Sequence, residues 1–513
     1  MHVFSKILRN EYYDSVTLMS LTARLQSQLD AEEIVVVMAT EMNKEILLGL
    51  GFVASALHEA SANDCIIGVI SKTNDATILD EVVRQLKQGV RQGDDGHRLA
   101  HKTIKGALGD FDANLVVIST PGEYAAREAE LALIQGLHVM IFSDNVSIQD
   151  EKRLKQMARD KGLLLMGPDC GTAIINGVGL CFANRVRAGN IGLVAASGTG
   201  LQEVSVLIHR WGGGISQAIG VGGRDLSVEI GGIMMLEGVR ALSRDMQTEV
   251  IVLISKPPAR EVQRAILDVL RGVEKPAIIC FLDGGAPEGL DPNWRFVATL
   301  EAAATTALSL VGLQVEEKVV DSSFFAARVA EKSRKMHPAQ RFMRGLYCGG
   351  TLCAEALSIA RKEVHPLFSN VAKLDGEKLA DPLTSRGHRF VDLGDDMFTR
   401  GRPHPMIDPN IRLARILQEA ADPETAVLLL DFELGYGSHS DPVGVTLDTL
   451  RIAREIAGAE GRHLAIVGYV CGTDLDKQGF ASQCEKLKSL GVIVATSNAH
   501  AVQLACKIVS GGA

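Results

Sequence analysis

The chain has 513 residues, 46% of them apolar and only 4% aromatic, and a formal net charge of −9. That length exceeds one ordinary core and predicts two to four domains, packed mainly with Leu, Val, Ile and Ala. The acidic balance, without a basic block, argues against nucleic acid and acidic membranes as partners, and the lack of any run of about 18 uncharged apolar residues argues against a membrane span.

The stretch MHVFSKILRNEYYDSV at the start lacks the long apolar core of a signal peptide. Nine scattered cysteines, with no CxxC and no HExxH, predict reduced thiols, a cytoplasmic setting and no metal site. In chain order, the first strand-like run is EEIVVVMA (32–39). The turn after it, MATEMNK, has no glycine, and its Ala39, Thr40 and Asn43 are the candidates for touching a CoA-type or dinucleotide cofactor. Further runs follow at 113–120, 137–143 and 162–168, with helical spacing in GEYAAREAELALIQ (122–135). Short runs rich in Val, Ile and Leu, apolar at successive positions, predict parallel strands covered on both faces. Residues 1–188 therefore read as a Rossmann-like domain. Near its end, Cys170 has apolar flanks and no neighbouring base, the signature of a packed thiol.

A second α/β block is predicted over 189–312. NIGLVAA (190–196) runs into the small polar turn Ser197-Gly198-Thr199-Gly200, and a helical pattern starts there. Such a turn offers unpaired N–H groups and the positive end of a helix dipole to an anion. Two later strand ends add candidates for substrate contact: Gly222, Gly223 and Arg224 in GVGGRDL, and Lys256 in SKPPA. Residues 313–341 are charged and poor in strand signals, a linker with helical character.

The third block, 342–513, repeats the pattern of the second. GLYCGGTLCAEALSIA (345–360) sets Gly349, Gly350 and Thr351 where the earlier turn has its Ser-Gly-Thr, and each helix then carries a glutamate, Glu203 or Glu355. Either turn alone reads equally well as a tight βα connection with an N-cap; two of them, opening consecutive blocks, favour a shared anion site. The long polar segment DLGDDMFTRGRPHPMIDP (392–409) holds Arg402, suited to bidentate anion contact, and His404, the candidate for acid–base work. A proline-pinned loop with internal salt bridges is the alternative for it. DFELGYGSHSDP (431–442) places Asp431 and His439 at another strand end. The class is α/β, with three doubly wound domains: the Rossmann-like one and two flavodoxin-like ones.

GNIGLVAASGTGLQEV, AIGVGGRDL and TEVIVLISKPP resemble the α-subunit of succinyl-CoA synthetase, and RGLYCGGTLCAEA resembles a turn near the end of its β-subunit. MGPDCGTAI (166–174) is similar to that family's Gly-Pro-Asn-Cys segment, with Asp169 in place of the asparagine. Through YDSVTLMS, MATEMNK, FSDNVSIQDE, MGPDCGTAIING and GRPHPMIDP, the whole chain resembles the FdrA family of acyl-CoA-synthetase-like proteins. In the synthetases, two helices point their N-termini at one phosphorylated histidine. Here the corresponding loop, DGGAPEGLDPNWRF (283–296), has no histidine, and no glutamate falls within Ile254–Pro257 to support one. The resemblance also lacks the ATP-grasp part of the β-subunit. It implies a CoA-binding-type domain over 1–188 and a site for free phosphate, or for an acyl or carbamoyl phosphate as substrate, with CoA as a second ligand. It further implies a subunit of a carbamoyl or acyl transferase, of the kind that converts oxalurate and phosphate to oxamate and carbamoyl phosphate. The alternatives are an acyl-CoA ligase that needs a partner chain and a non-catalytic binding or scaffold subunit. The partners expected are a small carbonyl substrate, other enzyme subunits and a second copy of the chain.

Overall fold

Continuous apolar runs form strands here where a sheet is covered on both faces, as in Val250–Ser255, Ala277–Phe281, Thr425–Glu433 and Ala465–Cys471. The structure is a computed structural model. It describes residues 2–13, 15–52, 57, 59–61, 63–92, 101–286, 291–315, 322–379, 381, 384, 386–399 and 403–511.

The first sheet holds β1 (His2–Leu8), β2 (Glu33–Met38) and β3 (Cys65–Ser71) in the order β1-β3-β2. Both pairings are antiparallel, which corrects the expectation of a parallel strand at 32–39. The cause is visible in the packing. Ile34, Val36 and Val69 pack with Leu21, Leu25 and Val82 on one face, while Val35 and Ile66 pack with Leu47 and Phe52 on the other. A strand buried on both faces reads as continuously apolar whichever way its neighbours run.

A second, parallel sheet follows, ordered β4-β5-β6: β4 (Leu115–Ile118), β5 (His138–Ile141) and β6 (Leu165–Met166). The block expected at 1–188 thus holds two sheets. Its last strands, β7 (Thr172–Ile175) and β8 (Val178–Cys181), form a hairpin that joins the third sheet through Ala218↔Ile174.

That third sheet contains β9 (Ala188–Ala195), β10 (Ile215–Gly220), β11 (Val250–Ser255), β12 (Ala277–Phe281) and β13 (Trp294–Phe296), in the order β13-β12-β11-β9-β10-β7-β8. The fourth contains β14 (Phe342–Tyr347), β15 (Leu367–Ser369), β16 (His388–Asp392), β17 (Thr425–Glu433), β18 (Ala465–Cys471) and β19 (Ile493–Ala495), in the order β15-β16-β14-β17-β18-β19, all parallel. The α/β class with doubly wound parallel sheets is what the strand pattern predicts. In each large sheet the opening strand, β9 or β14, lies in the interior with later strands on both sides. Its carboxyl end is therefore a topological switch point, where such sheets take ligands.

Four helices join these two sheets: Gly198–Arg210 after β9, Gly350–Ala360 after β14, Leu300–Leu310 and Asn498–Val509. One continuous core runs between the sheets, including Leu193, Leu201, Val204, Leu352, Ala356 and Leu504. Among the described residues, no helix is long and apolar enough to cross a membrane.

Candidate functional site at two facing helix starts

Ser197 has extended backbone angles and caps helix Gly198–Arg210, its Oγ accepting the Gly200 N–H at 2.9 Å. The same hydroxyl donates to Thr351 Oγ1 at 2.6 Å. Thr351 is the second residue of helix Gly350–Ala360, whose cap, Gly349, has no side chain to offer. The two turns singled out in the sequence therefore touch. Glycine is required at the crossing: a Cβ on Gly349 would lie 2.9 Å from Thr199 Cγ2, and one on Gly200 would lie 2.6 Å from Ser197 Oγ and 3.1 Å from Thr351 Cγ2.

Both helix starts open on one cavity of about 1530 Å³. Ser197, Gly198, Thr199, Gly350 and Thr351 line it, as do Lys256, Asp169, Gly223 and His404. Lys256 stands exposed to the cavity at the end of β11, with Asp169 and Asp392 in its field. Asp169 is exposed to the cavity, with protein packed around the wall on which it stands. Burial raises its pKa to about 7, helped by Asp144 and Asp396 and opposed by Arg224 and Lys256. Asp392 also lines the cavity and is 8% exposed. Burial lifts its pKa to about 7, against the Gly394 N–H, which it accepts at 2.9 Å, and Lys256. Sequence reasoning passed over Asp392. Its available signal was its place as the last residue of a parallel strand, at the carboxyl edge where ligands collect.

His404 is held by its neighbours. Its Nδ1 accepts the Met406 N–H at 3.2 Å, which assigns the ring proton to Nε2. Burial lowers its pKa to about 4, so the ring is neutral across the physiological range. Arg402 lies outside the described residues.

Other candidates have structural duties. Arg224 does not line the cavity: it reaches Glu151 Oε2 at 2.9 Å and the Val146 carbonyl at 2.8 Å. Glu151 in turn pairs with the buried Lys155, which also meets Asp225 at 2.8 Å. Gly222, at φ +82°, lies where any Cβ would collide with the Pro168 carbonyl. Thr40 caps helix Glu41–Gly49, and Asn43 donates to the Met38 carbonyl at 2.8 Å. Both still line the outer wall of the cavity, whereas Ala39 is buried in the core of the first sheet. Cys170 is a packed thiol, raised to about 12 by burial. His439 accepts the Asp441 N–H at 3.0 Å and lies outside the cavity lining.

Asp431 secures the second turn from behind, accepting the N–H groups of Cys348 and Gly349 at 2.9 and 3.0 Å. With Cys348 and Glu433 it forms a buried group of three metal-type ligands within 4.8 Å of one another. The Arg412 guanidinium already supplies the cation there, 2.7 Å from Cys348 Sγ and 3.2 Å from Asp431 Oδ1.

Three family models match: CoA-ligase over residues 346–508, CoA binding domain over 186–284, and AllF, heavy metal-associated domain, over 1–103. The CoA-binding match thus falls on the second block, around the first helix start, where the sequence had suggested the first block. The uncharacterized protein YahF of Escherichia coli is 45% identical over 515 residues, covering 100% of this chain and 99% of that protein. Succinate–CoA ligase [ADP-forming] subunit alpha 2 of Archaeoglobus fulgidus is 27% identical over 37% of this chain and 66% of its own length. The alpha subunit from Aquifex aeolicus is 26% identical over 40% and 69%. The residues of the first unit do not fit a soft heavy metal, which calls for paired thiolates. Residues 1–103 contain a single cysteine, Cys65, buried in β3 with its thiol raised to about 12.

Proposed function

This chain belongs to the same family as YahF, within the succinyl-CoA synthetase-like superfamily of acyl-CoA ligases, and we propose that it moves an acyl group between phosphate and the sulfur of CoA as one subunit of a larger ligase. The observation that carries this reading is the contact between the two helix starts, closed by the 2.6 Å Ser197–Thr351 bond and opening on the Lys256 cavity. Two helix dipoles and an ammonium group favour a phosphate dianion, and enclosure strengthens their pull. The cavity volume of about 1530 Å³ leaves space beyond a phosphate for an acyl group and a thiol carrier. A partner chain would supply the nucleotide chemistry.

Calorimetry of the full chain with inorganic phosphate tests the site. Binding is expected, weakened about tenfold or more by Lys256→Ala. Mixing the chain with acetyl, succinyl or carbamoyl phosphate and CoA, and following thioester absorbance and released phosphate, tests the transfer. Absence of phosphate binding together with absence of thioester would overturn the reading.

A second reading is carbamoyl or acyl transfer through free phosphate without CoA, the oxamate carbamoyltransferase-like activity that the FdrA resemblance implies. It is favoured by the lack of histidine in 283–296 and by a lysine, Lys256, at the strand end. Phosphate release from carbamoyl phosphate that depends on oxamate and not on CoA would select it.

A further inference from the structure

We propose that Asp392 is the proton-transfer group of this site and that the Nε2–H of His404 is a neutral donor to the reacting carbonyl oxygen. The inference rests on the acyl-transfer reading and adds the groups that do its proton chemistry.

Asp392 closes β16 and stands against the start of the second clamp helix: a Cβ on Gly350 would collide with its Oδ2. Its main chain is fixed on both sides by one side chain. The Asp392 N–H donates to Asn370 Oδ1 and the Asp392 carbonyl accepts from Asn370 Nδ2, each at 2.9 Å. Oδ1 accepts the Gly394 N–H at 2.9 Å, which leaves Oδ2 for other work. His404 Nε2, Asp392 Oδ1 and the Cys348 carbonyl converge on the space that a Cβ of Gly394 would fill. Only glycine leaves the imidazole that close to the carboxyl group and to the turn that opens the helix. The charged and titratable groups facing Asp392 are Lys256 from the end of β11, Asp395 from its own loop, Asp431 from β17 and Cys353 from the clamp helix. His404 approaches from the 403–409 segment. Burial places the Asp392 pKa near 7, where one carboxyl group can both take and return a proton at neutral pH. His404, at about 4, cannot do this and serves as a fixed N–H dipole.

With an acyl phosphate held at the helix starts, the CoA sulfur attacks the carbonyl carbon. The C–S bond forms as the Asp392 carboxylate takes the thiol proton. His404 Nε2–H donates to the carbonyl oxygen while it carries negative charge. The bond between the carbonyl carbon and the bridging phosphate oxygen then breaks, its electron pair leaves on that oxygen, and Asp392 returns the proton to it. Acyl-CoA and hydrogen phosphate result, with Asp392 and His404 unchanged.

The test uses the full chain, Asp392→Asn, Asp392→Glu and His404→Gln. The first readout is inorganic phosphate binding by calorimetry from pH 6 to pH 8.5, in two buffers of different ionisation heat. Inorganic phosphate titrates in the same range, so the Asp392 contribution is the difference between wild type and Asp392→Asn: as pH rises above about 7 the wild type is expected to lose more affinity, and to take up more protons on binding, because the dianion and the Asp392 carboxylate repel. The second readout is transfer from acetyl phosphate to CoA. Asp392→Asn is expected to lose about 100- to 10,000-fold in rate, and Asp392→Glu to restore part of it with a shifted pH profile. His404→Gln is expected to slow transfer with the profile unmoved. Phosphate binding with the same pH dependence in wild type and Asp392→Asn would overturn the Asp392 assignment alone. Transfer within threefold of wild type in Asp392→Asn would do the same. Failure of the wild type both to bind phosphate and to form thioester would remove the acyl-transfer reading itself.

Discussion

Thr351 shows what one hydroxyl does at this site. It accepts the Ser197 hydroxyl hydrogen at 2.6 Å and is 6% exposed, so its loss leaves the half-buried Ser197 donor without its protein partner. Such a loss costs about 1–3 kcal/mol. Thr351→Val keeps the shape and removes the acceptor. Phosphate affinity measured by calorimetry is expected to fall about 5- to 100-fold, with helix content unchanged in circular dichroism. Gly350→Ala should do more harm, since its methyl group would collide with Asp392 Oδ2. Ser197, Gly198, Thr199, Gly350 and Thr351 were legible in the sequence as two small-residue turns, because a helix start needs few residue types and shows them in a fixed order. Asp392 was passed over because the short strand it ends, HRFVD, begins with two charged or polar residues and does not read as a continuous apolar run. The reading of Arg224 as an anion contact missed Glu151, whose proximity is set by tertiary packing 73 positions away in the chain.

At the scale of elements, the two clamp helices are joined by a reciprocal arrangement one turn behind the cavity. Thr199 and Glu203 are four residues apart, as are Thr351 and Glu355, so in each helix the glutamate follows the hydroxyl along one face. Glu355 accepts the Leu300 N–H at 2.7 Å, at the first residue of helix Leu300–Leu310 in the other block. Glu203 accepts the Asn498 N–H at 3.1 Å, at the first residue of helix Asn498–Val509 in the opposite block. Asn498 Nδ2 links the two by donating to Glu355 Oε2 at 2.7 Å. Each block thus fills a helix start of the other with a carboxyl group, which fixes the register of the two clamp helices. Burial raises Glu203 to about 7 and Glu355 to about 8, the latter with help from Glu203. Glu355→Leu strips the Leu300 N–H and the Asn498 amide of a partner, and urea unfolding is expected to show a loss of about 2–4 kcal/mol. Glu355→Gln retains an acceptor and should lose about 1 kcal/mol or less. The paired glutamates were visible in the sequence as a resemblance between two turns. Their partners were not, because both lie at the ends of helices more than fifty residues away.

At the scale of the whole molecule, the strand runs revealed the class because sheets buried on both faces leave continuous apolar stretches. They did not reveal direction, and β2 proved antiparallel for the same reason. The same deep burial makes stability depend on pH in a predictable way. Asp392, Glu203 and Glu355 are almost fully enclosed and raised to about 7, 7 and 8, so the native state holds protons that the unfolded chain has released. For a raised acid, stability is present at low pH and is lost as pH climbs from the unfolded pKa through the folded one. His388, His404, His463 and His500 are all lowered to about 4 by burial, so the unfolded chain binds protons that the native state cannot. Their contribution has the opposite sign: it is gained as pH rises from about 4 to about 6.5 and is flat above. Between pH 5 and pH 6.5 the two sets oppose each other, and above pH 6.5 only the acids still titrate. Urea midpoints should therefore stay nearly level from pH 5 to pH 6.5 and drop between pH 6.5 and pH 8, by on the order of 2 kcal/mol in unfolding free energy. The combined Glu203→Gln and Glu355→Gln variant should flatten that drop and, with less to oppose the histidines, should gain stability between pH 5 and pH 6.5. A wild type whose stability rises between pH 6.5 and pH 8 would show that these carboxyl groups are ionised in the native state, and that the interface between the two blocks carries charge.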